Sequence, residues 1–149
     1  MNRLFILAAC AALLTGCDFV GEADGTQANI AGITLTEAPL QRANGASWDE
    51  DGAPDLFVEV QDISGHAYFR SEVFENMEAL PAEGLDLGAA FELPQSGRSY
   101  YLVLVDADPD GNELMGVSNA FRTADLASSA TVEIGSENGA LGAVIQVTP

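Results

Sequence analysis

The sequence predicts an all-β domain, an antiparallel β-sandwich of about eight strands following an N-terminal signal peptide. Three observations predict it. Short apolar and β-branched segments recur roughly every 8 to 12 residues, with Gly, Pro, Asp and Asn between them. No long segment carries a helical period, and no internal repeat is present. The clearest segment, Tyr100-Tyr101-Leu102-Val103-Leu104-Val105, is aromatic and β-branched and then breaks abruptly into Asp106, Asp108, Pro109, Asp110 and Gly111.

In chain order, residues 30–35 read as a first strand. Residues 39–54 read as a loop, holding Pro39, Gly45, Gly52 and Pro54. Leu56-Phe57-Val58-Glu59-Val60 is a second strand, residues 62–66 a turn around Gly65, and residues 67–74 a third strand. Residues 75–88 admit a short helical turn or a long crossing loop. Residues 89–93 are another strand and 94–97 a turn. After the strand at 100–105, strands are expected at 117–122, 130–134 and 143–147.

The chain has 149 residues, enough for one domain with a real core once a leader is removed. It carries 23 Asp and Glu against five Arg and no Lys, a formal net charge of −18. That balance argues against a nucleic-acid partner, whose phosphates it would repel. It also argues against simple electrostatic docking on anionic lipid. It suits a protein that stays soluble in salt or binds cations. The two cysteines, Cys10 and Cys17, both lie near the N-terminus, so the body of the chain has no disulfide or thiolate metal site. The single histidine, His66, excludes a multi-histidine metal site within one chain and reads as an exposed turn residue.

Met1-Asn2-Arg3 is a positive start, and residues 4–14 are an apolar run too short to span a bilayer. Leu14-Thr15-Gly16-Cys17 follows, and it is similar to the lipobox of bacterial lipoproteins. The resemblance implies a signal peptide at 1–16, cleavage between Gly16 and Cys17, and acylation of Cys17. Several acyl chains anchor firmly, since each buried methylene contributes about 0.8 kcal/mol. The expected location is therefore the cell envelope, lipid-anchored, with the periplasmic face and the outer surface both open. Residues 17–29, rich in Gly, Ala and acids, read as a flexible tether to a domain at 30–149.

Two acidic clusters stand out from this background. Asp49, Glu50, Asp51 and Asp55 precede the second strand; Asp106, Asp108, Asp110 and Glu113 follow the strongest one. Each cluster is denser than the chain average of about one acid in six, and each sits where a strand meets a loop. In a sandwich such loops gather at one end. Two unit charges about 5 Å apart repel by roughly 1 kcal/mol in water, and by about 3 at an effective dielectric near 20. Such loops are either splayed and solvated or hold a cation.

Here the chain resembles the C2 domain family, a calcium-binding β-sandwich. Asp49 and Asp55, six apart and leading into Leu56-Phe57-Val58-Glu59-Val60, resemble the family's first calcium loop. Pro54 precedes the second aspartate, where the family usually has a proline after it. Leu102-Val103-Leu104-Val105-Asp106-Ala107-Asp108 resembles the strand and paired aspartates of the third loop, and Glu113-Leu114-Met115-Gly116 its close. That loop is about one residue short and ends in Glu rather than Asp. The resemblance implies calcium held by Asp49, Asp55, Asp106, Asp108 and Glu113, with Asp51 and Asp110 as further oxygens nearby. Calcium accepts six to eight oxygens in flexible geometry, so two loops with carbonyls and water suffice. The family's basic lipid-binding patch has no counterpart.

Other readings carry less. Asp106-Ala107-Asp108-Pro109-Asp110-Gly111 opens like an EF-hand loop, but the acid required at its twelfth position falls on Val117. Gly116-Val117-Ser118-Asn119-Ala120 lacks the last glycine of a nucleophile elbow. Paired carboxylates serve glycoside hydrolysis, but few aromatics lie near these acids to form a sugar cleft. The expectation is a non-enzyme: a lipid-anchored calcium-binding module, or a metal-independent envelope interaction module with a protein partner. Trp48, beside the first cluster, is expected to pack on the core.

Overall fold

The computed structural model describes residues 27–50, 52–94 and 97–148. The leader, Cys17 and most of the tether lie outside these residues. Among the described residues the strands are β1 (Ala28–Glu37), β2 (Leu56–Asp62), β3 (Ala67–Arg70), β4 (Leu85–Asp86), β5 (Phe91–Leu93), β6 (Tyr100–Asp106), β7 (Glu113–Val117), β8 (Thr131–Gly135) and β9 (Gly142–Thr148). One short helix, α1 (Thr123–Ala127), lies between β7 and β8.

The strands form two antiparallel sheets packed face to face. One has the order β3-β2-β6-β7; the other runs β4-β1-β9-β8, with β5 also pairing with β1. β1 shares one edge between two short partners. Ala28, Asn29 and Ile30 pair with β5, while Thr34 and Leu35 pair with β4. The core between the layers is made by Ile33, Leu35 and Ile145 from one sheet and Leu56, Val58, Leu102 and Leu104 from the other. Each such side chain contributes about 1.5–3 kcal/mol when fully buried.

β2 and β6 are the central pair of their sheet, in register from Leu56 opposite Asp106 to Asp62 opposite Tyr100. Period-two alternation turns Leu56, Val58 and Val60 inward on β2, and Tyr100, Leu102 and Leu104 on β6. Both inward rows end in an aspartate. Because the strands run in opposite directions, Asp62 and Asp106 lie at opposite ends of the sheet. Three connections gather at the Asp106 end: residues 38–55 entering β2, 75–84 crossing between the sheets, and 107–112 joining β6 to β7. The crossing comes close to β1 at Gly84. A Cβ there would stand 2.6 Å from Thr34 Cγ2 at a backbone φ of +87°, so only glycine fits.

Several sequence expectations are corrected. The strand expected at 117–122 is β7, and it begins four residues earlier. The turn after Asp106 is tight enough for Glu113 to pair directly opposite Asp106. Ser118 still bonds to Leu102, residues 119–122 leave the regular ladder except for an isolated bridge between Phe121 and Tyr100, and α1 follows. α1 was not anticipated, because a five-residue helix with Leu126 as its one buried apolar side chain shows no period. Its local signal is Asp125, whose carboxylate accepts the Arg122 amide at 2.8 Å. The ambiguous residues 75–88 are a crossing loop ending in β4. The third strand is regular only to Arg70. Beyond it, Ser71 keeps the pairing with β2: its amide donates to the Val58 carbonyl, and its hydroxyl accepts the Val58 amide at 3.0 Å.

Candidate metal centre

The acidic end is assembled around Asp55 and Asp106. The last residue before β2 faces the end of β6, so three bonds tie their loops together. The Asp55 amide donates to Asp106 Oδ1 at 3.1 Å. The Ala107 amide donates to the Asp55 carbonyl at 2.6 Å. The Asn76 amide donates to Asp55 Oδ1 at 2.7 Å, bringing in the crossing loop. Met77 adds a bond from its amide to the Pro54 carbonyl.

Asp106 is 0 % exposed. Its Oδ2 is buried and has no hydrogen-bond partner among the described residues. One carboxylate oxygen from each of Asp49, Asp106 and Asp108 lies within 4.8 Å of the other two. Burial raises the Asp106 carboxyl to about 6; the charges of Asp49, Asp108 and Glu113 push the same way, and the Asp55 amide opposes. Asp49 is also raised, first by burial and then by its hydrogen bond with Asp108 and the charges of Asp108 and Asp55; Arg42 opposes. A buried, unpartnered carboxylate oxygen beside two further carboxylates is an arrangement that could hold a cation. A divalent ion would satisfy it and reverse both shifts. Three carboxylates offer oxygen alone, the donor type that calcium takes; they fall short of a closed cage and offer no nitrogen or sulfur.

The other predicted ligands are placed differently. The Asp55 carboxylate serves the Asn76 amide and stands outside the group of three. Asp110 is exposed at the tip of the 107–112 turn and is not drawn in. Asp51 lies outside the described residues. Glu113 forms an ion pair with Arg42. Sequence reading missed that arginine altogether. Its guanidinium stacks 4.5 Å over the Trp48 ring, while Nε donates to the Ser47 carbonyl and Nη2 to the Trp48 carbonyl. Trp48 packs against the core as expected and donates from Nε1 to the Pro39 carbonyl at 2.6 Å.

The serine of the elbow-like segment sits in the sheet. The Ser118 hydroxyl is buried; it accepts the Leu102 amide and donates to the Asn119 carbonyl, completing the ladder beside β6. His66 is exposed, in the turn after β2, with its ring edge-on to Tyr68.

A solved structure entitled "Structure of a C2 domain" superposes with a TM-score of 0.51 at 16 % identity, covering 83 % of this chain and 98 % of that one. The sandwich is C2-like. At that identity the likeness concerns the fold alone. No family model matches the sequence, and no curated protein matches it. A C2-like fold with an acidic cluster able to hold a metal is therefore what the chain presents.

Proposed function

We propose that the chain is a lipid-anchored protein of the bacterial cell envelope whose C2-like domain binds calcium through Asp49, Asp106 and Asp108, without catalysis. The observation that carries the metal reading is the Asp106 carboxylate, fully buried, with an unpartnered oxygen and two further carboxylates beside it. The anchor rests on the order of positive start, apolar run, small residues and Cys17. The partners are the membrane, through lipid on Cys17, and a protein of the envelope; a chain this acidic does not take nucleic acid.

The test is thermal unfolding of the full chain in detergent, in EDTA and then in calcium, with ionic strength matched by magnesium or sodium. Calcium at about 100 times its dissociation constant stabilises the fold by roughly 2.7 kcal/mol. In a domain of this size that is a rise of several degrees. Equal melting in all three salts would sink the metal reading. The anchor is tested by labelling cells with a clickable palmitate analogue: the wild type takes up label and Cys17→Ser does not.

One observation favours a metal-independent interaction module instead. Arg42 already neutralises Glu113, so part of the acidic end needs no external cation. Under that reading the melting temperature ignores calcium, and a protein partner accounts for the acidic surface.

A further inference from the structure

The one cationic side chain that pairs, among the described residues, with an acid of the acidic end is Arg42. Among the described residues the other salt bridges lie elsewhere, Arg70 with Glu59 and Arg98 with Asp62. Arg42 is fixed from several directions. The ring of Trp48 lies under its guanidinium, and the carbonyls of Ser47 and Trp48 accept from Nε and Nη2. Its own backbone closes a small turn, the Arg42 amide donating to the Ala46 carbonyl and the Gly45 amide to the Arg42 carbonyl. Side-chain entropy, which weakens most surface ion pairs, is thus already largely lost before Glu113 is met. The pairing spans 71 residues of sequence and joins the loop before β2 to the start of β7. Glu113 stands directly opposite Asp106 in the ladder. The charge of Arg42 is also felt by Asp49, a member of the metal group.

We propose that Arg42 is a built-in counter-cation of the acidic end, holding Glu113 away from the metal position and so limiting the site to a single ion on Asp49, Asp106 and Asp108. The part concerning ion number rests on the calcium reading above; the part concerning Arg42 and Glu113 does not. A second divalent ion that used Glu113 would have to displace a guanidinium already held by two carbonyls and a ring. The arginine also serves the metal-free protein. It supplies positive charge in permanent form, so the two loops stay joined when no ion is bound.

The experiment compares wild type, Arg42→Gln, Glu113→Gln and Asp108→Asn as full chains in detergent. Melting is followed in EDTA at about 0.01 M and about 1 M sodium chloride, where the screening length falls from about 30 Å to about 3 Å. Calcium chloride is then titrated calorimetrically. Arg42→Gln should melt several degrees below wild type at low salt and recover much of the difference at high salt. A loss caused only by missing packing on Trp48 would persist at both. In calcium, Glu113→Gln should bind within about threefold of wild type, while Asp108→Asn binds at least tenfold more weakly. Arg42→Gln should show a second binding event absent from wild type. The proposal is overturned if Arg42→Gln melts like wild type at both salts, or if Glu113→Gln weakens calcium as much as Asp108→Asn. A wild type silent to calcium removes the calcium reading alone. The salt-dependent melting then still decides whether Arg42 is the counter-cation.

Discussion

Asp62 and Asp106 end the inward rows of two paired strands, and the same register places them at opposite ends of one sheet. Both are buried, at 4 % and 0 % exposure. Their surroundings differ completely. The Ser64 hydroxyl and amide and the His66 amide donate to Asp62 Oδ1; the Tyr68 hydroxyl and Arg98 reach Oδ2. Led by the Ser64 hydroxyl, and against the effect of burial, these donors hold the Asp62 carboxyl down at about 2. Among the described residues Asp106 has one amide donor, an oxygen with no hydrogen-bond partner and acids for neighbours, and it is raised to about 6. Burial alone therefore does not make an aspartate structural or functional. What decides is whether the fold itself supplies the charge's partners.

The largest effect should come from Leu104→Ala, next to Asp106 but in the shared core. It should destabilise both ends together, by about 2–5 kcal/mol in denaturant unfolding. Next, the two aspartates should respond with opposite signs in EDTA near neutral pH. Asp62→Asn strands a set of donors and should lower the melting temperature. Asp106→Asn removes an unpaired buried charge and should raise it by a few degrees. Both lowering it would mean that Asp106 is held by partners of its own.

A pH series comes third. The folded carboxyl of Asp106, near 6, lies above its ordinary value of 3.8, so its ionised form opposes folding. That penalty is complete above about 6 and gone below 3.8. The folded carboxyl of Asp62 lies below 3.8, so its stabilisation is complete above 3.8 and lost as pH falls through about 2. Metal-free protein should therefore gain stability as pH falls from 7 toward 4 and lose it on further acidification. The gain should shrink in Asp106→Asn, leaving the part that the raised Asp49 carboxyl supplies, and calcium affinity should weaken as pH drops through about 6. The smallest effect is expected of Arg98→Gln. Its side chain is 61 % exposed, and Asp62 keeps its other donors, so melting should shift less than in Asp62→Asn.

Much of this was legible in the sequence. β6 was, because an apolar run of aromatic, leucine and valine residues stops abruptly at Asp106 and Pro109. The two acidic clusters were legible as dense runs beside strand ends, and the fold brings Asp49 of the loop before β2 to Asp106 and Asp108. β7 was displaced because Leu114 and Val117, exposed at 59 % and 40 %, blur the alternation that marks a strand. The roles of Asp55 and Glu113 were not legible. Each depends on a partner far along the chain: the Asn76 amide for one, the Arg42 guanidinium for the other. The only local hint of the second was a single arginine in a loop otherwise rich in acids. The buried orphan of Asp106 is a property of packing, and no residue pattern announces it.

One feature of the ladder bears on association. The outer strands of the Asp62 and Asp106 sheet, β3 and β7, are four and five residues long, and each pairing is broken by a register shift. Just past each, a serine hydroxyl takes a central-strand amide, Val58 from Ser71 and Leu102 from Ser118. A foreign strand approaching either margin meets a short, kinked template. Lateral sheet growth from one molecule to the next is disfavoured accordingly, even where Leu114 and Val117 offer apolar surface.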